Sequence, residues 1–247
     1  MTTEFTVSQH GFECRITLAQ PELDNTLSLE AIRELAGVIR EAGRDISFKL
    51  IRIRSSGASF CGGRASGKPP AKSLNTAEIR RTMADPILEV YRAMHESEIP
   101  VMAEVQGDAN GLGCALVAAC DLAIASESAN FSLPEIEKNV PPTLVLSVLR
   151  YKVPPKAAAH MVYLASSIDA KTAREWGFIA EVIPFEGLEQ RGNAIAEWIG
   201  SRDRLALAAI KTYFREVVIP DFSLASELAG SAVSTAMTSM RDQVPPR

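Results

Sequence analysis

The chain has little that would tie it to nucleic acid. Its 26 Lys and Arg stand against 30 Asp and Glu in 247 residues, a net charge of -4, whereas binding a phosphate backbone calls for the opposite bias. Long apolar runs are also missing. No uncharged stretch reaches the roughly 18 residues of a membrane span, and Met1 to His10 has no basic segment followed by an apolar one. The expectation is a cytoplasmic protein with no membrane partner. Histidine is scarce, and His10, His95 and His160 are too scattered to suggest a metal pair. Cys14, Cys61, Cys114 and Cys120 match no zinc or redox spacing, so they are expected to be reduced, small, buried residues. With 47% hydrophobic and 23% charged residues, disorder is excluded as well.

Several familiar phosphate and nucleophile signatures fail on spacing. The segment Gly57 to Gly63 has Gly63 where a phosphate loop needs lysine. Gly107, Gly111 and Gly113 form G-x-x-x-G-x-G, which is not a dinucleotide fingerprint. No G-x-S-x-G elbow is present.

The periodicity predicts an α/β chain. Two short strands, Glu4 to Ser8 and Phe12 to Leu18, meet at His10-Gly11. Ser28 is placed to cap a helix whose apolar residues Leu29, Ile32, Leu35, Ala36 and Ile39 recur at helical spacing until Gly43 stops it. A strand over Leu50 to Ile53 leads into a long polar segment, Ser55 to Ser73, of the kind that often carries function. A helix from Thr76 to Glu96, a strand from Val101 to Val105, an apolar segment from Cys114 to Ala119 and a strand from Asp121 to Ala125 follow. Beyond Pro154 the chain reads as helices over Lys156 to Leu164, Ala170 to Trp176, Leu188 to Ile199, Leu205 to Val217 and Leu224 to Met240, interrupted by a strand at Ala180 to Ile183. Successive ββα or βα units with parallel pairing are the economical architecture, and the terminal helices are apolar enough to pack on another subunit.

Two glycine clusters could present backbone amides to an anion. One opens the helix at Gly111 and Leu112, whose first-turn N–H groups lack intrahelical acceptors and sit at the positive end of the dipole. The other is Cys61-Gly62-Gly63, where missing Cβ atoms permit close approach. Either cluster alone reads as an ordinary tight turn; two amides converging on one oxygen would make an oxyanion hole.

The sequence resembles the crotonase family, the enoyl-CoA hydratase and isomerase superfamily, in FCGG (Phe60 to Gly63), in the run from Gly107 to Cys120-Asp121, in FSLPE (Phe131 to Glu135) and in IDAKTAREWGFIAEVIP (Ile168 to Pro184). The resemblance implies a spiral of ββα units over residues 1–190, a helical trimerisation region over 191–247, and acyl-CoA thioesters as substrates. It places the oxyanion amides on Gly62 and Leu112, the acid/base on Glu135, substrate contacts on Cys61, Gly63 and Gly111, and a phosphate contact on Lys211. It implies a homotrimer or a dimer of trimers and no cofactor beyond the coenzyme A of the substrate.

Three departures stand out. Ala115 occupies the position of the hydratases' second glutamate, Arg64-Ala65 replaces a common alanine-aspartate, and Pro141-Pro142-Thr143 replaces a glycine-rich stretch. Water addition asks for two proton-handling groups, whereas moving a double bond asks for one, so the loss at Ala115 favours isomerase-like chemistry. Asp108, Glu104 and Glu137 are the nearby acids that could substitute in a hydratase; Asp121 is better suited to fixing a strand start. A non-catalytic acyl-CoA-binding protein is the alternative from another class, and Glu135 argues against it.

Overall fold

The computed structural model describes residues 4–66, 74–218 and 221–242. Strands β1 (Phe5–His10) and β2 (Glu13–Leu18) form the expected hairpin around Gly11. Helix α1 (Leu29–Arg44) starts where Ser28 accepts a hydrogen bond from Ala31 N at 3.1 Å, the capping geometry that satisfies a first-turn donor. It runs past Gly43, which does not end the helix: a Cβ there would lie 2.8 Å from Ser97 Oγ, so the glycine serves a close approach.

After β3 (Leu50–Ser55), part of the polar segment read from Ser55 to Ser73 lies outside the described residues. The helix expected from Thr76 to Glu96 is present as α2 (Thr76–Ile79), a π-helical turn at Arg80–Ala84, and α3 (Asp85–Glu96). Pro86 explains the interruption. A proline cannot donate to the carbonyl four residues back, which is Thr82, and Arg33 approaches that carbonyl instead, at 3.4 Å.

The chain continues through β4 (Val101–Val105), β5 (Ala109–Asn110), α4 (Leu112–Ala119), β6 (Leu122–Ser126) and β7 (Asn130–Ser132). Then come a 3-10 turn (Pro134–Lys138), α5 (Thr143–Leu149), α6 (Pro155–Leu164), β8 (Ile168–Asp169), α7 (Ala170–Glu175), β9 (Glu181–Ile183), α8 (Leu188–Gly200), α9 (Arg204–Tyr213) and α10 (Phe222–Asp242). One sheet has the order β1-β2-β3-β4-β6-β9 and is parallel except for the first pair. A smaller sheet has the order β5-β7-β8, and single bridges at Cys61–Ala109 and Leu27–Arg64 prolong it. Each turn of chain thus gives one strand to the large sheet, one short extended piece to the second layer, and then a helix. This is the ββα spiral that the resemblance implied. The two- and three-residue strands of the second layer are too short to show a period-2 pattern, and the sequence does not reveal them.

Alternation along β3 and β4 assigns the faces of the large sheet. Ile51, Ile53, Ala103 and Val105 join the main core, while Leu50 and Met102 meet Leu188, Ala196 and Ile199 of α8. Helix α8 therefore runs across the boundary drawn at residue 190, because its buried face covers the sheet. Helix α10 folds back onto α5, α2 and the π-helical turn. All four cysteines are free and buried, as expected.

Candidate active site

A cavity of about 250 Å³ opens between the second layer, the helices α2 to α5, and α10. Its lining includes Gly63, Arg64, Gly111, Leu112, Glu135 and Tyr91, with Val233 and Met237 of α10 closing one side. Glu135 stands on the 3-10 turn, which begins at Pro134, with φ preset for a helical turn, and ends at Asn139 in the left-handed region (φ 55°). Its Oε2 is buried and has no hydrogen-bond partner. Oε1 lies over the α-carbon of Gly111, where a Cβ would come within 2.9 Å, and Gly111 has φ +52°. Glycine is required there twice over, for the dihedral and for the space. Burial raises the pKa of Glu135 above the usual carboxylate value, against an opposing backbone hydrogen bond and the charge of Lys138. Glu135 is thus a carboxylate with an unoccupied oxygen and an elevated affinity for a proton.

The amides divide into engaged and unengaged. Leu112 N is the first N–H of α4 and donates to no acceptor among the described residues. Gly111 N donates to Ser132 O at 2.9 Å, and Cys61 N to Asp108 O at 3.1 Å. The assignment of an oxyanion amide to Gly62 is corrected: Gly62 N donates to Asp24 O at 2.7 Å. The amide on the cavity side belongs to Arg64.

Hydrogen bonds along the strand explain the shift. Cys61 bonds toward β5, Gly62 bonds toward Asp24, and regular alternation would send Gly63 back toward β5. Gly63 instead has φ +109°, a value that favours glycine, and its carbonyl accepts from Leu27 N. With Ala65 N bonded to Leu27 O on that same side, Arg64 N–H points the other way, toward β5 and the start of α4. A methyl on Gly63 would lie 3.8 Å from Leu112 N, which places the Gly63–Arg64 peptide beside the second free amide. A φ above zero at Gly63 was the missing signal, and two adjacent glycines hinted at it.

The remaining sequence-assigned residues sort by position. Gly63 and Gly111 line the cavity. Cys61 does not; its side chain is fully buried, and burial pushes its thiol up to about 12. It packs under the loop instead of meeting a substrate. Lys211 is also corrected: it is buried, and its ammonium donates to both Asp121 carboxylate oxygens at 2.7 Å and to Met94 O at 2.8 Å. Three acceptors occupy its three N–H donors, leaving none for a phosphate. Asp121 also accepts from Val101 N at 2.7 Å, which fixes the start of β4 as anticipated.

None of the acids considered as substitutes lines the cavity. Glu104 is buried beneath α8 on Arg52, Glu137 is exposed, and Asp108 is exposed and accepts from Asn130. Ala115 is fully buried in α4. Among the described residues, Glu135 is the one carboxylate lining the cavity. Tyr91 was not anticipated, since at helical spacing on α3 it reads as core.

Comparison with known proteins accords with this geometry. The enoyl-CoA hydratase/isomerase family pattern matches residues 12–234. The chain is 30% identical over 226 residues to the rat (Rattus norvegicus) mitochondrial enoyl-CoA hydratase domain-containing protein 3, covering 90% of this chain and 74% of the relative. It is 27% identical over 220 residues to the 2,3-dehydroadipyl-CoA hydratase of Escherichia coli strain K12, covering 87% and 82%. In fold it matches an enoyl-CoA hydratase/isomerase from Xanthobacter autotrophicus Py2 with a TM-score of 0.89 at 24% identity, over 97% of this chain and 89% of that one. An enoyl-CoA hydratase from Mycobacterium avium subsp. paratuberculosis K-10 gives 0.87 at 22%, over 99% and 96%. With family pattern, relatives and spiral in agreement, the chain belongs to the enoyl-CoA hydratase/isomerase family.

Proposed function

We propose that the cavity takes the acyl end of a coenzyme A thioester, holds its carbonyl oxygen between the amides of Leu112 and Arg64, and uses Glu135 to move a proton along the acyl chain. Removal of a proton at C2 of a 3-enoyl thioester, the carbon between the carbonyl and the C3–C4 double bond, sends the electron pair toward the thioester oxygen and leaves a conjugated dienolate. Return of the proton at C2 or C4 then decides where the double bond ends. The two amides favour the intermediate because they lie where negative charge develops, and each such donor is worth roughly 10²- to 10³-fold in rate. Coenzyme A arrives with the substrate, and no other cofactor enters this chemistry. The observation that carries the reading is that, among the described residues, one carboxylate lines the cavity and one of its oxygens is unpartnered.

The preferred reaction is therefore interconversion of 3-enoyl and 2-enoyl thioesters, faster than water addition to a 2-enoyl thioester. Separate assays of a 3-enoyl-CoA and crotonyl-CoA in ¹⁸O-labelled water test this. Double-bond migration outpacing label uptake is the expected result; rapid uptake with no migration would overturn it. The assembly we propose is a homotrimer or a dimer of trimers, supported by the exposed Leu205, Ile210, Tyr213, Val217, Leu224 and Leu228 on the terminal helices. Light scattering that returns a stable monomer near 26.7 kDa would exclude it.

A further inference from the structure

Arg64 is one of the three departures in the sequence, and the chemistry above uses only its backbone amide. Its side chain is half-buried and lines the same cavity as Glu135. The guanidinium donates one hydrogen bond, from Nη1 to Ala65 O at 3.1 Å, and forms no ion pair with any described residue. Neither Cys61-Gly62-Gly63 before it nor Ala65-Ser66 after it supplies an acid. Burial lowers its affinity for a proton, and no carboxylate opposes that effect. An arginine still keeps its charge in a protein, so the cavity wall carries a cation that is partly out of water and has no counter-charge. The lining acid does not answer it. Glu135 feels the charge of Lys138, which stands exposed at the end of the same 3-10 turn, and not that of Arg64. With Arg64 and Lys138 against Glu135, the described lining has a positive charge in excess. Much of the remaining wall is apolar, with Ile87, Leu144, Val145 and Met237 among it. Such a wall suits a hydrocarbon chain that ends in an anion.

Resting on the function proposed above, we infer that Arg64 pairs with a carboxylate carried on the acyl chain, so that the preferred substrates are coenzyme A thioesters of dicarboxylic acids. The position of the residue selects the acyl end over the phosphates of coenzyme A. With its amide at the thioester oxygen, its guanidinium reaches only one side chain's length from C1, whereas the phosphates lie beyond the whole pantetheine arm. A carboxylate matches the flat, forked donor set of a guanidinium and takes two of its unengaged N–H groups. A methyl or amide end brings no charge, so binding it leaves the cation partly desolvated and unpaired. That penalty is the source of selectivity, because a site built around a polar group rejects the analogue that fails to engage it.

The test uses 3-enoyl-CoA thioesters of six and eight carbons, each ending in a carboxylate, the matching carboxamide or a methyl group. Wild-type kcat/KM for isomerisation should favour the carboxylate over the carboxamide at least about tenfold at one of the two lengths, as for a charge-assisted hydrogen bond. Arg64→Met should bring that ratio to about 1, and Arg64→Lys, a point charge without the fork, should keep part of it. Because the variants are compared through a ratio, any change they make at the amide cancels. Calorimetric titration of the saturated thioesters with the same three ends reads the same preference in Kd without turnover. A wild type that favours the carboxylate in neither measurement, a preference that survives Arg64→Met, or a loss of the same size on all three ends would each overturn the role of Arg64. A carboxylate preference in binding with no isomerisation of any thioester fails the proposed function and leaves Arg64 with its carboxylate partner.

Discussion

Two polar regions of this molecule contrast in how their hydrogen-bonding capacity is filled. Beneath α8, Arg52 is fully buried and donates to Glu13 through Nε and Nη2 at 2.9 and 3.0 Å, to Glu104 at 3.0 Å and to Asn193 at 2.8 Å. Burial would raise the pKa of Glu13, but hydrogen bonds from Arg15 and Arg52 outweigh it and hold the carboxyl low. For Glu104 burial prevails over the attraction of Arg54 and Arg52, and its pKa is raised. Every polar side chain of this cluster has a partner. At the cavity, by contrast, Glu135 Oε2 and the amides of Leu112 and Arg64 have none among the described residues. Saturation marks the first region as architecture, since the charges serve one another; unfilled capacity at the second is what the proposed function assigns to a ligand.

The largest expected effect breaks the saturated region. Arg52→Met removes the buried cation that Glu13 and Glu104 share, leaving Glu13 to Arg15 and Glu104 to Arg54, and should cost about 3–5 kcal/mol, read by urea unfolding, while kcat of the remaining folded enzyme stays at the wild-type level. A cost below about 1 kcal/mol would mean that the cluster behaves like a surface network.

Glu135→Gln breaks the unfilled region and should lower turnover about 10²-fold, roughly 2.7 kcal/mol of barrier, with acyl-CoA binding kept. Its effect on stability has the opposite sign from that of Arg52→Met. A carboxyl whose folded pKa is raised above its ordinary 4.5 favours the fold below that ordinary value, a contribution lost as pH rises through the raised one. Glu135→Gln should therefore melt higher than wild type near about pH 7 and lose that advantage near about pH 3, by calorimetry. The kcat/KM of the wild type should fall on acidification through the same raised pKa. Unchanged kcat in the variant sinks the assignment.

Gly111→Ala sharpens the comparison at a backbone position. Alanine at φ +52° costs about 1–3 kcal/mol, and its methyl displaces the Glu135 carboxylate, so kcat should drop by roughly tenfold. Loss of stability with full kcat would show that the carboxylate does not depend on this contact. The smallest effect belongs to Glu137→Gln, on the exposed side of the same turn. Both stability and the barrier should move by less than about 0.5 kcal/mol; a large kcat loss in steady-state assays would make Glu137 a second acid.

Glu135 and Leu112 could be put forward from the sequence because each lies in a contiguous motif whose local structure follows from neighbouring residues: a proline-led turn for one, a glycine-led helix start for the other. The same holds for the strand alternation that turned Glu104 away from Ala103 and Val105. Gly62 was misread since the direction of an amide depends on which strands lie on either side, and Leu27 and Asp24 are distant in sequence from the FCGG loop.

The amino-acid sequence by itself determined the family and the ββα spiral, because these rest on residue identity and short spacings, and it put forward Glu135 as the acid/base and Ala115 as the place of a second acid. Tertiary structure alone decided the rest. It engaged Gly62 on Asp24 and freed Arg64, buried Lys211 on Asp121, brought Tyr91 of α3 to Glu135 and laid α10 over the cavity. Each of these depends on contacts between segments far apart in the chain, which local periodicity does not encode.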